Sequence, residues 1–259
     1  MKNDLIAYAP LIVALLFSVS VALLSPGEDL AGIEKGRQKA EIPAEAVPPL
    51  TDILQNYIQA LGGRDTLETI QTRVCRGRLT HDLSWKDPTR EEIPFEASYS
   101  VPGKWTYREE TSEGVYREGC DGRIHWQDRS GDVEFPKEKE WTKISFLLDP
   151  RAALRMEDYF HGMTVTGEDV VYGRRVFVVQ PESLDVAHYS LYFDAETGLL
   201  IRIGYYDDLL EYRHVDGTMF PFRYAKSRKG GSSTYVFEEV KHNIPVDDKR
   251  FAPPLPPGK

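Results

Sequence analysis

At 259 residues, with 41% hydrophobic and 28% charged side chains, the chain is long enough for one domain with a sizeable core. Its formal net charge of −9 lies wholly beyond residue 26, because Lys2 and Asp4 cancel before it. A domain this acidic does not track phosphate backbones, so no nucleic acid is expected as a partner. Fourteen tyrosines and eleven phenylalanines, set among 20 glycines and 17 prolines, favour strands and turns over a helical bundle.

The first element is an apolar run, Leu5 to Leu24, without a charge and interrupted only by Pro10, Ser18 and Ser20. As a helix it spans roughly 30 Å, the thickness of a bilayer core. Ser20 and Ala22 make a small-x-small pattern, but inside the run, and Ser25 precedes Pro26. An uncleaved single-span anchor is therefore favoured over a cleaved signal peptide for residues 1–25. Lys2 and the α-amino group stay cytoplasmic. The expected location is the bacterial inner membrane, single-pass, with the C-terminal body in the periplasm. Residues 26–49 are rich in Pro, Glu, Lys and Ala, lack aromatics, and read as a linker. Residues 50–259 form the domain.

The domain opens with an amphipathic helix, Leu50 to Leu61, on which Ile53, Leu54, Tyr57, Ile58 and Leu61 share a face. Thr51 is the expected N-cap and Gly62-Gly63 the stop. Arg64 to Ile70 adds a second helical piece. The period then changes to two. Strands are expected at 72–82, 93–101, 104–111, 114–120 and 123–128, with Asp121-Gly122 as a hairpin turn. Residues 141–160 are helical in part. Strands resume at 163–168, 175–180, 189–194, 199–206, 210–215, 220–228 and 233–241. Short connections between sequential strands mean an antiparallel meander closed or curved into a barrel.

Little in this chain is catalytic. The histidines, at positions 81, 125, 161, 188, 214 and 242, are scattered singly, and no metal-ligand spacing, phosphate loop or nucleophile elbow occurs. Glu109-Glu110 and Asp207-Asp208 point to opposite faces of a strand and make poor acid/base dyads. No enzyme, metal or cofactor is expected. Cys75 and Cys120 are either a disulfide or two buried thiols. The strands carry a surplus of apolar side chains: Trp105, Tyr107, Trp126, Leu191, Phe193, Leu199, Ile201, Ile203 and Phe237, with Val176, Val178, Tyr205 and Tyr235 continuing the pattern. They either fill a solid core under the first helix or line an apolar cavity in a half-closed barrel.

The order of short motifs resembles the outer-membrane lipoprotein carrier family, the LolA/LolB-like domains. Tyr57-Ile58-Gln59-Ala60-Leu61-Gly62-Gly63 closes the first helix as in related envelope proteins. Pro102-Gly103-Lys104-Trp105 is similar to that family's strand start, and Cys120-Asp121-Gly122-Arg123-Ile124-His125-Trp126 to its hairpin. Phe193-Asp194 to Leu199-Leu200 resembles the late turn, and Phe251-Ala252-Pro253-Pro254 the terminal signature. The resemblance covers nearly all of Leu50 to Gly258. It implies a mainly β (α+β) fold: a curved, unclosed antiparallel half-barrel of about eleven strands, covered by short helices and binding lipid or lipoprotein acyl chains without catalysis. The implied hydrophobic wall includes Trp105, Trp126, Leu191, Phe193 and Ile201. The family's soluble carriers hold their lid with a basic residue just before the Pro-Gly strand start, where this chain has Val101. The alternative use of such a domain is as an accessory subunit of an envelope membrane complex, docking through its periplasmic face.

Overall fold

The computed structural model describes residues 47–82, 91–136, 143–182, 189–228 and 231–254. These belong to one compact unit, Ala46–Lys259. The apolar run Leu5 to Leu24 and most of the linker lie outside the described residues. No helix among the described residues is long and apolar enough to cross a membrane.

Helix α1 (Leu50–Ala60) buries Ile53 and Tyr57, with Leu54 and Ile58 packed partly against the core. Pro49, not Thr51, stands at the cap, and no side chain caps the helix there. Proline suits this end, where an N–H would lack a partner in any case. Gly62 and Gly63, both at positive φ, stop α1. Gly62 also permits a close approach, since a Cβ there would lie 2.4 Å from the Gly217 carbonyl oxygen. Helix α2 (Arg64–Thr69) follows directly.

Among the described residues that follow, thirteen strands form one sheet: β1 (Thr72–Asp82), β2 (Glu92–Ser100), β3 (Lys104–Thr111), β4 (Gly114–Asp121), β5 (His125–Arg129), β6 (Asp132–Glu134), β7 (Thr164–Val171), β8 (Arg174–Gln180), β9 (Leu191–Asp194), β10 (Leu200–Ile203), β11 (Asp207–Val215), β12 (Thr218–Arg228) and β13 (Gly231–His242). The expected count of about eleven is exceeded; the short β6 in particular carries no periodicity of its own. Their order is β6-β5-β4-β3-β2-β1-β13-β12-β11-β10-β9-β8-β7, every pair antiparallel. The chain thus starts in the middle, runs out to one edge, crosses to the other, and returns to pair β13 with β1. The sheet is curved and unclosed. Asp216 and Gly217, both at positive φ, make the tight turn between β11 and β12.

The crossing between the two edges carries α3 (Lys143–Leu148), a 3-10 turn (Ala152–Arg155) and α4 (Met156–Tyr159). Ile144 to Leu148 are all buried. A helix buried all round must lie inside a core rather than over one. One hydrophobic cluster joins this segment, α1 and one face of the sheet, and its members include Phe146, Leu148, Met156, Phe160, Trp105, Leu191, Phe193 and Phe237.

Candidate functional site

Sheet alternation sorts the sequence-derived wall residues between two faces. Trp105, Tyr107, Leu191, Phe193, Ile203 and Phe237 point to the concave face and join the main core. Trp126, Leu199 and Ile201 do not. Trp126 faces outward, where its indole N–H donates to the Phe251 carbonyl at 3.0 Å under the C-terminal segment. Ile201 packs on the outer face with Val171, Val176, Val178 and Tyr192, and Leu199 lies against that cluster. A register shift between Leu200 and Arg202 separates Ile203 from these two. The extra residue leaves Leu199 and Ile201 together on the outer side and brings Ile203, with Leu200, opposite Leu191 and Phe193 on the inner one. The shared face expected for 199, 201, 203 and 205 is therefore broken, and Tyr205 is exposed.

Cys75 and Cys120 are both free and buried in the main cluster. Strands β2 and β3 lie between them. At about 4.8 Å per strand their backbones are roughly 14 Å apart, too far for a disulfide. Burial pushes the Cys75 thiol up to about 12, partly opposed by Arg73, so it is inert. Among the described residues no group of three or more His, Cys, Asp or Glu could hold a metal.

Aromatic contacts tie the covering segments together and to the concave face. Phe146 meets Phe160 edge-on at 5.2 Å, and Tyr57 of α1 meets Phe193 edge-on at 5.3 Å. Among the described residues, one cavity here, lined by Tyr57, Phe146, Leu147, Leu209 and Phe220, is about 30 Å³, the size of a water molecule.

Polar groups tie the segment Lys143–Tyr159 to the rest of the domain at several points, two of them buried clusters that the hydrophobic pattern does not foretell. Arg73, on the inward face of β1, is buried and donates from Nη1 to the Leu147 carbonyl at 3.1 Å and the Leu148 carbonyl at 3.4 Å. Its guanidinium also lies 4.8 Å from the centre of the Phe220 ring. Its Nε donates to His242 Nε2 at 3.0 Å. Burial pulls the Arg73 proton affinity below the ordinary value, opposed by Cys75, Asp149, Tyr57 and Tyr99. The second point is Asp149, buried just after α3, which accepts from Arg155 Nε at 3.0 Å and the Tyr159 hydroxyl at 2.6 Å. Arg155 then donates to the Tyr99 hydroxyl on β2 at 2.7 Å. Burial alone would lower Arg155, yet Asp149 and the two tyrosines hold it raised. An arginine in step with Cys75 and Leu79, both on the apolar face, was the signal available in the sequence.

No protein-family model matches the chain, and no curated relative matches its sequence. Solved structures do match in shape. A LolA superfamily protein from Nitrosomonas europaea covers 79% of this chain and 98% of its own, at a TM-score of 0.50 and 11% identity. A domain assigned to outer-membrane lipoprotein sorting, from Vibrio parahaemolyticus, covers 77% of this chain and 94% of its own, at 0.53 and 10%. A DUF1329 family protein from Desulfovibrio piger covers 79% and 97%, at 0.50 and 11%. The fold is LolA-like.

Proposed function

We propose that this protein binds the acyl chain of a lipid or lipoprotein between the concave sheet and the segment Lys143–Tyr159, which acts as a lid. One observation carries the reading: the lid, an all-buried helix pinned by polar contacts, occupies the concavity of a fold shared with a lipoprotein-sorting domain. Apolar contact alone holds a covering helix in many proteins, whereas directional bonds where α3 ends and again at Arg155 suit a piece that closes in one position and can leave it.

The magnitudes are matched. Withdrawing Ile144, Phe146, Leu147, Leu148 and Met156 from the core costs on the order of 10 kcal/mol at about 2 kcal/mol per side chain. A chain of about 14 methylenes, at about 0.8 kcal/mol each, restores a similar amount when it takes their place. Exchange of lid for ligand is then near balance, as reversible carriage needs. The residues in this role are binding residues. The domain acts in the periplasm, without catalysis, and is held to the inner membrane by Leu5 to Leu24.

The test is binding of an acyl-chain fluorophore by the domain from residue 50 onward. Enhancement that a fatty acid competes away, and that Leu191→Glu abolishes, supports the reading. A folded domain with no enhancement sinks it. Stoichiometric co-purification with a membrane complex after mild extraction would favour the accessory-subunit alternative instead.

A further inference from the structure

On the outward face, cross-strand partners from β13 to β5 form one row: Glu239, Arg76, Glu96, Arg108, Arg117 and Asp128. Signs alternate along the row with one exception. Arg76 bonds Glu96 at 2.9 Å and Glu239 at 3.1 Å, and Arg117 Nε bonds the buried Asp128 at 2.8 Å. Between these pairs Arg108 and Arg117 stand directly opposite each other on β3 and β4. Like charges in opposite positions destabilise a sheet. The ladder carries a cost here that it avoids at every other step.

At that same point the surface opens. A cleft of about 540 Å³ lies between the sheet and the C-terminal segment, and Arg108, Arg117, Lys249 and Arg250 all line it, with Ser98 at its floor. Its carboxylate, Glu96, is already held by Arg76 and Arg250. Arg108 bonds Glu110 at 2.7 Å, away from the cleft lining. A guanidinium has five donors, so these pairings leave both opposed arginines with N–H groups to offer. Four cations thus converge in a chain whose net charge is −9.

We propose that this cleft is an anion site that takes a phosphate group, either a free phosphate monoester or the phosphate of a lipid headgroup. A dianion between Arg108 and Arg117 turns the like-charged step into an alternating one. Its several oxygens can accept from forks on different strands and from the C-terminal segment, which a planar carboxylate cannot do as fully. The volume fits a small phosphorylated molecule. Because the cleft is on the outward face, the site stands apart from the acyl-chain reading and can hold if that reading fails.

The test uses the full-length chain in an uncharged detergent, melted with inorganic phosphate against chloride at equal ionic strength. Saturating phosphate is expected to raise the melting temperature by several degrees. Arg108→Gln and, on the C-terminal segment, Lys249→Gln should each weaken phosphate binding about tenfold. Arg64→Gln, the same charge change on α2, should not. Without phosphate, Arg108→Gln should melt no lower than the parent, since it removes the opposed pair. Glycerol 3-phosphate and dihexanoyl phosphatidic acid then separate the sources: binding of both assigns a free monoester, binding of the second alone a lipid headgroup. Equal stabilisation by chloride, or equal loss in Arg64→Gln, would overturn the proposal.

Discussion

Arg73 and His242 face each other across the β1–β13 pair, and a 3.0 Å hydrogen bond from Arg73 Nε to His242 Nε2 joins them. Because Nε2 accepts, the ring is neutral and carries its proton on Nδ1, which lies 3.7 Å from Asp216. Arg73 holds the lid carbonyls at the same time, so the protonation state of His242 bears on the lid.

Burial, helped by the Arg73 charge and opposed by Asp216, lowers the His242 pKa from 6.5 to about 4. The unfolded chain therefore binds more protons than the folded one between about pH 6.5 and 4, and stability falls as pH drops through that window. The loss from this group approaches about 3 kcal/mol at its lower end. In urea unfolding, His242→Gln, whose amide oxygen can still accept from Arg73, should flatten this part of the pH profile relative to the parent. Parallel profiles would show that His242 does not titrate with folding.

Tyr99→Phe removes the acceptor that ties Arg155 to β2 and leaves the aromatic packing in place. A net loss of about 1–2 kcal/mol is expected, because Arg155 keeps Asp149. The effect should be local: hydrogen exchange at Ile144 to Leu148 quickens about five- to thirty-fold, while amides of β1 and β13 keep their rates. An acyl-chain probe should also bind faster. Uniform acceleration throughout the domain would mean that the lid does not open as a unit.

Both thiols are expected to remain reduced in protein prepared without reductant. A thiol reagent should count two per chain in denaturant and essentially none in the native state, because Cys75 and Cys120 are buried with two strands between them. Rapid native labelling at Cys75 would contradict its packing.

Much of the architecture is legible in the pattern, since α1 and the strand meander announce themselves by period and by Gly-containing turns. The concave assignment fails where one residue is inserted. Leu199, Ile201 and Ile203 alternate perfectly in sequence, yet the bulge before Arg202 leaves Leu199 and Ile201 outside and brings Ile203 inside with Leu200. The apolar residues around it fit either face, and only Arg202, set opposite Tyr192 on the outer side, marks the slip. Trp126 misleads for another reason. It is as buried as a core residue, but the cover is the C-terminal segment, far away in sequence. The lid contacts escape for a third reason: Arg73, Asp149 and Arg155 are ordinary surface residue types, and only the tertiary fold gives them buried partners.

Gly77 offers the sharpest test of the β1–β13 seam on which Arg73 and His242 stand. The register of the pair shifts between Arg76 and Gly77, drawing the strands together at a point where Phe95 of β2 also leans in. A Cβ on Gly77 would lie 2.1 Å from the Val236 carbonyl oxygen and 2.9 Å from the end of the Phe95 ring. The ring can rotate away, but the carbonyl belongs to the ladder and cannot move without breaking it. Gly77→Ala should therefore cost about 2–4 kcal/mol, and the urea midpoint should fall without a change in slope. Phe95→Leu in the same background relieves only the ring clash and should recover a minor part of the loss. Full recovery would show that the ring, and not the closeness of the two strands, makes glycine necessary there.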